Sequence, residues 1–373
     1  MRPDRLTRRQ LNRATLARQL LLERSDLSVT AAVENVVGLQ SQAPLAHYVG
    51  LWSRLADFDP IDAGAALESG DLVRTHAMRA TVHLFTRRDA LGIRAVMQPM
   101  LAARFASSPF PKLLPNVDLD AVCREARSIA TERPVSRVEL GRRLAELFPD
   151  APEEPLAYAV TYLEPMAQVP PRGVWGKRAP VRWQTYRGWL GADANTSATI
   201  DQIVLRYLAA FGPATVTDIR TWSGLSGLRE VVDRLATNLR IFADESGREL
   251  LDLPDAPRPA ADVPAPVRFL PEYDNVLLSH DDRTRIIPDR RPVPLPPGDG
   301  ARVGTVLVDG EFRTTWQLVP TEHGAELQVD AAGFSGPEIS QIEEEGLRLL
   351  GFLKPGLPGE VRVVNGWGAP GLE

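Results

Sequence analysis

Three times along this chain of 373 residues, a set of helix-period segments gives way to a short pair of alternating strands. That recurrence limits the fold more than any other feature, because a chain patterned this way is neither one bundle nor one sheet. In the first set, residues 6–23 carry Leu6, Leu11, Leu16, Leu20 and Leu21 near a helical period. Helices over 29–39, 45–55 and 61–68 follow, then two short strands at 72–76 and 79–85 joined around Ala77-Met78, then a long helix over 87–106. The second set has helices over 121–131, 138–148 and 156–166, with Pro134 as a breaker, and a hairpin from 168–172 to 180–186. In the third, helices over 199–211, 217–222 and 228–239 lead to strands 241–244 and 249–253, turning at Ser246-Gly247.

Helices followed by a small hairpin make a winged helix. The fold predicted is α+β, with three tandem winged-helix subdomains over 1–112, 113–190 and 191–256. They are structural repeats of little sequence identity rather than a solenoid of fixed period. Pro254, Pro257, Pro259, Pro264 and Pro266 stiffen the linker that follows. Beyond it the period shifts toward two, with strands over 302–308, 311–318, 325–331 and 361–365 and a Glu-rich helix over 335–353. This predicts a small C-terminal β-barrel-like domain with one helix over 257–373. The proline-rich stretch 288–299 reads as a loop.

The composition excludes several classes. A hydrophobic share of 44% with 24% charged residues is ordinary for a soluble globular chain. No apolar run approaches the roughly 20 residues of a membrane span. The arginine-rich start lacks the apolar core of a secretory signal, so the cytoplasm is the expected compartment. Cys123 is the only cysteine, which rules out an intramolecular disulfide and a Cys-based zinc site. The net charge of −5 argues against a protein coated in nucleic acid, but its distribution is uneven. Residues 1–24, 74–104 and 172–187 are arginine-rich, while acids gather at 244–255 and at Glu338, Glu343, Glu344 and Glu345. One basic face and one acidic back would fit, although scattered arginines are often merely solvated.

The run Val37-Gly38-Leu39-Gln40-Ser41-Gln42-Ala43-Pro44 ends the helix predicted from residue 29. Pro44 pushes Ala43 out of the helical basin, so the helix should stop by Gln42. Residues two apart do not share a helix face, so Gln40 and Gln42 would converge only if the last turn unwinds. Locally they read first as two polar residues capping a helix end.

Gln40-Ser41-Gln42 resembles the Gln-x-Gln motif of the AlkZ-type DNA glycosylases in the YcaQ-like winged-helix superfamily. Three further stretches share the resemblance: residues 74–84 (RTHAMRATVHL), 211–215 (FGPAT) and 269–275 (FLPEYDN). Together they span most of the chain. The resemblance implies a monofunctional DNA glycosylase that hydrolyses the N-glycosidic bond of bulky N7-alkylated purines. It also implies that Gln40 and Gln42 are the catalytic pair, and a place in unhooking interstrand crosslinks and in antibiotic self-resistance. An amide is too weak a base for ordinary acid–base catalysis, but it can position water and aim a carbonyl oxygen at positive charge. That is enough where alkylation has already made the base a good leaving group. One division of labour gives Gln40 the oxocarbenium ion and Gln42 the attacking water.

Duplex DNA carrying such lesions is then the expected partner of a protein that acts as a monomer. Arg74 and His76 on one strand of the first wing, and Arg79 and His83 on the other, are candidate DNA contacts, or simply a polar outer face. At the tip of the second hairpin, Arg172, Trp175, Lys177 and Arg178 set cations beside an aromatic ring, with Trp175 alternatively a core residue. Glu272, Tyr273, Asp274, Asn275, His280, Asp281 and Asp282 form the densest acidic cluster, but their spacing fits no familiar metal loop. No metal and no cofactor is therefore expected. The other reading is a non-enzymatic winged-helix protein, either a transcription regulator or a damage-recognition factor.

Overall fold

Short polar caps decide where the helices begin. Ser28, Thr86, Ser136, Thr199 and Thr215 each accept a backbone N–H from the helix that follows, satisfying donors that a helix start leaves open. The computed structural model describes residues 3–195, 198–293, 303–322, 324–330 and 332–364. In it these caps open Val29–Asn35, Arg87–Ala106, Arg137–Leu147, Ile200–Phe211 and Val216–Ser223. The chain is α+β, with its helices packed around three sheets. Of the proline-rich stretch 288–299, residues 294–299 lie outside the described residues.

The first two hairpins do not stand apart. Leu39–Gln40, Val82–Thr86, Leu72–His76, Met166–Gln168 and Trp183–Thr185 form one antiparallel sheet in that order. The join is Thr75 against Ala167 and Arg74 against Gln168. A short hairpin leaves one row of backbone groups unpaired at its edge, and here each hairpin supplies the other's missing partner. Helix Arg87–Ala106 runs under this sheet, and its Ile93, Met97 and Leu101 share a core with Tyr207, Phe211 and Trp222 of the third helical set.

The N-terminal helix Arg8–Arg18 packs on that third set. Asp4–Arg5 pairs in parallel with Arg240–Ala243, which pairs in turn with Glu249–Asp252. Arg18 grips the fully buried Asp252 with two bonds of 2.7 and 2.9 Å. In the C-terminal part the sheet order is Gly359–Val364, Ala325–Asp330, Glu311–Pro320, Gly304–Val308, Arg268–Leu270. Helix Gly336–Leu353 lies across it, with Ile342, Leu349 and Leu350 set against Phe269, Val306 and Leu327.

One ion pair ties this C-terminal part to the first helices. Arg54, just past helix Ala46–Trp52, makes two 2.9 Å bonds to Asp274, and both side chains are fully buried. Removing one member of such a pair leaves a buried charge without a partner. Asp274→Ala should therefore lower unfolding stability by about 3 to 5 kcal/mol. Urea titration followed by circular dichroism measures this, and a loss below about 1 kcal/mol would show the pair to be superficial.

Candidate active site and nucleic-acid groove

Helix Val29–Asn35 stops well short of the apolar run that predicts it. Val37 and Gly38 take positive φ of 56° and 84° and turn the chain. Only glycine fits the second position, since a Cβ there would lie 2.4 Å from the Phe85 ring. The chain leaves the turn extended, and Leu39–Gln40 pairs with Val82–Thr86 so that Gln40 faces His83 across the strands. This corrects the expectation that Gln40-Ser41-Gln42 closes a helix. The strand ends at Gln40 and Gln42 lies in the bend beyond it, so no helix turn separates the two glutamines.

Ser41, between them, is an anchor. It is fully buried, its hydroxyl accepts from Arg74 Nε at 3.0 Å and lies 2.8 Å from His47 Nδ1, and its carbonyl accepts from Arg74 Nη2 at 2.8 Å. Both neighbours are conditioned by the interior. Burial, with the charge of Arg172, lowers the Arg74 guanidinium to about 10, and burial beside Arg74 holds His47 neutral.

The carbonyl oxygen of Gln40 is already engaged. Arg79 Nη2 donates to Gln40 Oε1 at 2.7 Å and to Asn275 Oδ1 at 2.8 Å, while Asn275 Nδ2 donates to the Gly38 carbonyl at 3.1 Å. The loop residue Arg79 reaches this position from a left-handed backbone, with φ of 56°. Its charge disfavours a second cation at Gln40 Oε1, and the amide N–H groups are the end of Gln40 that Arg79 does not hold. Gln42 Oε1 accepts from the Val82 N–H at 3.2 Å, a neutral donor that leaves the oxygen attractive to a cation or a water proton.

The expected outward face of Arg74, His76, Arg79 and His83 is not what the sheet presents. The sheet is covered on both faces: Arg74, opposite Leu84, is 2% exposed, and His83, on the other face with Val73 and Phe85, is fully buried. His76 stacks on Trp183, with ring centroids 5.0 Å apart, and on Tyr162 at 6.0 Å. Burial, reinforced by nearby arginines, pulls His76 and His83 down to about 3, so both are neutral. Arg79 is part-buried and turned toward Gln40.

The second hairpin's loop does face outward. Tyr48 Oη donates to the Gly173 carbonyl at 3.0 Å and accepts from the Trp175 N–H at 2.7 Å, which holds the loop over helix Ala46–Trp52. The Trp175 indole packs against Tyr48 and Phe352, with centroids 4.9 and 5.1 Å away, so it is largely a support. Lys177 and Arg178 are exposed, and Lys177 pairs with Glu68.

Between this loop, the turn after Gln42 and the end of the C-terminal helix lies a groove of about 1020 Å³. Gln42, Arg172, Trp175, Lys177, Arg178 and Lys354 line it, with Glu272 as the one acid among its described residues. A second groove of about 530 Å³ opens on the other side, where Gln42 meets Arg74, His76, Arg137 and Trp183. Gln42 and Arg172 line both, so Gln42 sits where two open grooves meet, while Gln40 and Ser41 are buried behind it. Sequence reasoning missed His47 and Tyr48, which carry no motif of their own and are found only through the hydrogen bonds they make to Ser41 and to the hairpin loop.

The acidic cluster resolves into separate partnerships: Asp274 with Arg54, Asn275 with Arg79, Asp282 with Arg248. Among the described residues, no group of three His, Cys, Asp or Glu side chains is placed to hold a metal ion.

Helical sets closed by hairpins, with Gln42 where two cation-lined grooves meet and Gln40 buried beside it, define an α+β protein whose open surface suits a polyanion such as DNA. A family model described as DNA glycosylase AlkZ-like matches residues 33–352, and the chain belongs to that family. It is a DNA glycosylase, which sets aside the regulator reading. The fold is similar to that of a solved Streptomyces sahachiroi DNA glycosylase AlkZ, with a TM-score of 0.71 and 19% sequence identity over 96% of this chain and 100% of that one. No curated relative matches the sequence. Among the described residues no helix is long and apolar enough to cross a membrane.

Proposed function

We propose that this DNA glycosylase hydrolyses the N-glycosidic bond of bulky N7-alkylated purines in duplex DNA, including bases tethered across both strands. The observation that carries this reading is the position of Gln42 at the junction of two open grooves. A glycosylase that extrudes its base needs a closed pocket. A crosslinked base cannot leave the duplex, and an open junction meets it where it lies.

The chemistry agrees with the lesion class. Neutral amides supply no strong base, so the bond must break with the base departing almost unaided, and a cationic N7-alkylpurine does so by leaving neutral. In this reading Gln42 Oε1 orients the attacking water, Gln40 donates from its amide to an acceptor on the lesion nucleotide, and Arg172, Lys177 and Arg178 hold the phosphate backbone. The enzyme acts as a cytoplasmic monomer, and resistance to a DNA-alkylating natural product is the role this lesion class fits.

The test is excision from defined duplexes. Protein is incubated with DNA carrying one N7-methylguanine or one N7-linked crosslink, and alkali then reveals abasic sites as strand breaks. Breaks at the lesion, weakening as salt rises, are expected for both substrates. Excision of the single adduct alone would remove crosslinks from the proposal, and excision of neither would remove the lesion class.

A further inference from the structure

The groove beside Gln42 holds a carboxylate that basic DNA-binding surfaces have no reason to keep. Glu272 is the one acid among its described lining residues, facing a wall that includes Arg172, Lys177 and Arg178 of the hairpin loop and Lys354 from the end of the C-terminal helix. It forms no ion pair among the described residues, although cations surround the groove. An acid there repels phosphate, and a part-buried one without an ion pair is unfavourable. Desolvation holds its carboxyl above the usual range.

Its placement is fixed from both sides. Pro271 packs near Gly50, which also abuts Leu39, the neighbour of Gln40. Asn275 donates to the Gly38 carbonyl and shares Arg79 with Gln40. Asp274 is locked to Arg54, and Tyr273 takes a left-handed φ of 63° that turns the chain between these anchors. Glu272 is thus carried on a segment pinned against the Gln-Ser-Gln strand.

The charge balance of the site needs an anion. Arg79 and Arg74 stand beside the motif, and the histidines around them, His47, His76 and His83, are neutral. A cationic purine and an oxocarbenium-like transition state are disfavoured in such a setting unless something negative faces them.

We infer that Glu272 is a catalytic residue of the glycosylase reaction, facing the positive charge that develops on the sugar and taking the proton of the attacking water. This rests on the lesion class proposed above. The C1′–N9 bond breaks with its electron pair going to the alkylated base, which departs neutral. The water oxygen bonds to C1′, and the proton it releases moves to the Glu272 carboxylate.

Two measurements on the full-length protein decide the matter. In single-turnover excision of N7-methylguanine, Glu272→Gln should slow the reaction by about 10² to 10⁴-fold, with duplex affinity held within about threefold. The wild-type rate should rise with pH through the ionisation of Glu272, and the variant should lose that limb. Separately, duplexes carrying a cationic pyrrolidine in place of the lesion sugar are compared with duplexes carrying neutral tetrahydrofuran. Wild type should prefer the cation by about tenfold or more, and Glu272→Gln should not. A wild-type rate and preference in the variant would overturn the inference, as would a wild type indifferent to the sugar charge. A wild type that prefers the cation through Glu272 yet excises no alkylpurine would uphold the carboxylate's role and overturn the lesion class instead.

Discussion

Replacing Gln40 and Gln42 together by alanine should slow single-turnover excision of N7-methylguanine by about 10²-fold or more, leaving duplex affinity within about threefold. The split between rate and binding follows from placement. The exposed cations Lys177 and Arg178 sit on the hairpin loop, held by Tyr48 rather than by the glutamines. The glutamines themselves add no charge to the groove, so their loss removes little long-range attraction. In the proposed reading, what goes is the pair of amides that acts on the lesion nucleotide.

The single variants should differ in kind. Gln42→Ala removes the residue that lines both grooves, and its effect should fall on the rate. Gln40→Glu keeps an oxygen for Arg79 at the position now 2.7 Å away but deletes the N–H donors. If those donors are the working end, Gln40→Glu should fold as the wild type does and react as slowly as Gln40→Ala. A fully active Gln40→Glu would return the catalytic duty to the oxygen, and a fully active double alanine variant would end the role of the pair.

The sequence carried the helices well, for physical reasons visible at single residues. The long helix expected over 87–106 is Arg87–Ala106, opened by Thr86, and the one over 335–353 is Gly336–Leu353, opened by Ser335. Periodicity and caps are local signals, and they survive folding. Strands as short as Leu39–Gln40 have no period to read, so the turn at Val37 and Gly38 was hidden behind an apolar run that looks helical throughout. The merging of the first two hairpins was equally invisible, because the pairing of Thr75 with Ala167 joins residues far apart in the chain. Packing on both faces of the merged sheet explains why Arg74 and His83, expected on an outer face, are interior groups. The motif residues were legible as a type and a spacing. Their geometry was not, because Arg79 and Asn275 reach Gln40 from distant segments.

Those interior histidines give the second large effect, a steep loss of stability in mild acid. His83 is fully buried beside Arg79, and these two influences pull it down to about 3, whereas an unfolded chain would titrate it near 6.5. Between those values the unfolded state binds a proton that the native state refuses. Stability therefore rises with pH across this window, is complete above about pH 6.5, and falls as the pH drops toward 3. From pH 7 to pH 5 the loss is about 2 kcal/mol for His83 alone. His76, lowered by burial between Tyr162 and Trp183 and by Arg94, adds in the same direction, as do the buried His47 and His280. Together they make the loss larger than that of His83 alone. Urea unfolding at pH 7, 6 and 5 should show midpoints falling with pH, and His83→Gln, which cannot take up the proton, should flatten the slope. The same neutrality predicts that duplex affinity gains no histidine-linked increase between pH 8 and 6, since a ring held near 3 acquires no charge there to offer a phosphate. A protein equally stable at pH 7 and pH 5, or one whose DNA binding tightens with a midpoint near 6.5, would mean that these rings reach solvent.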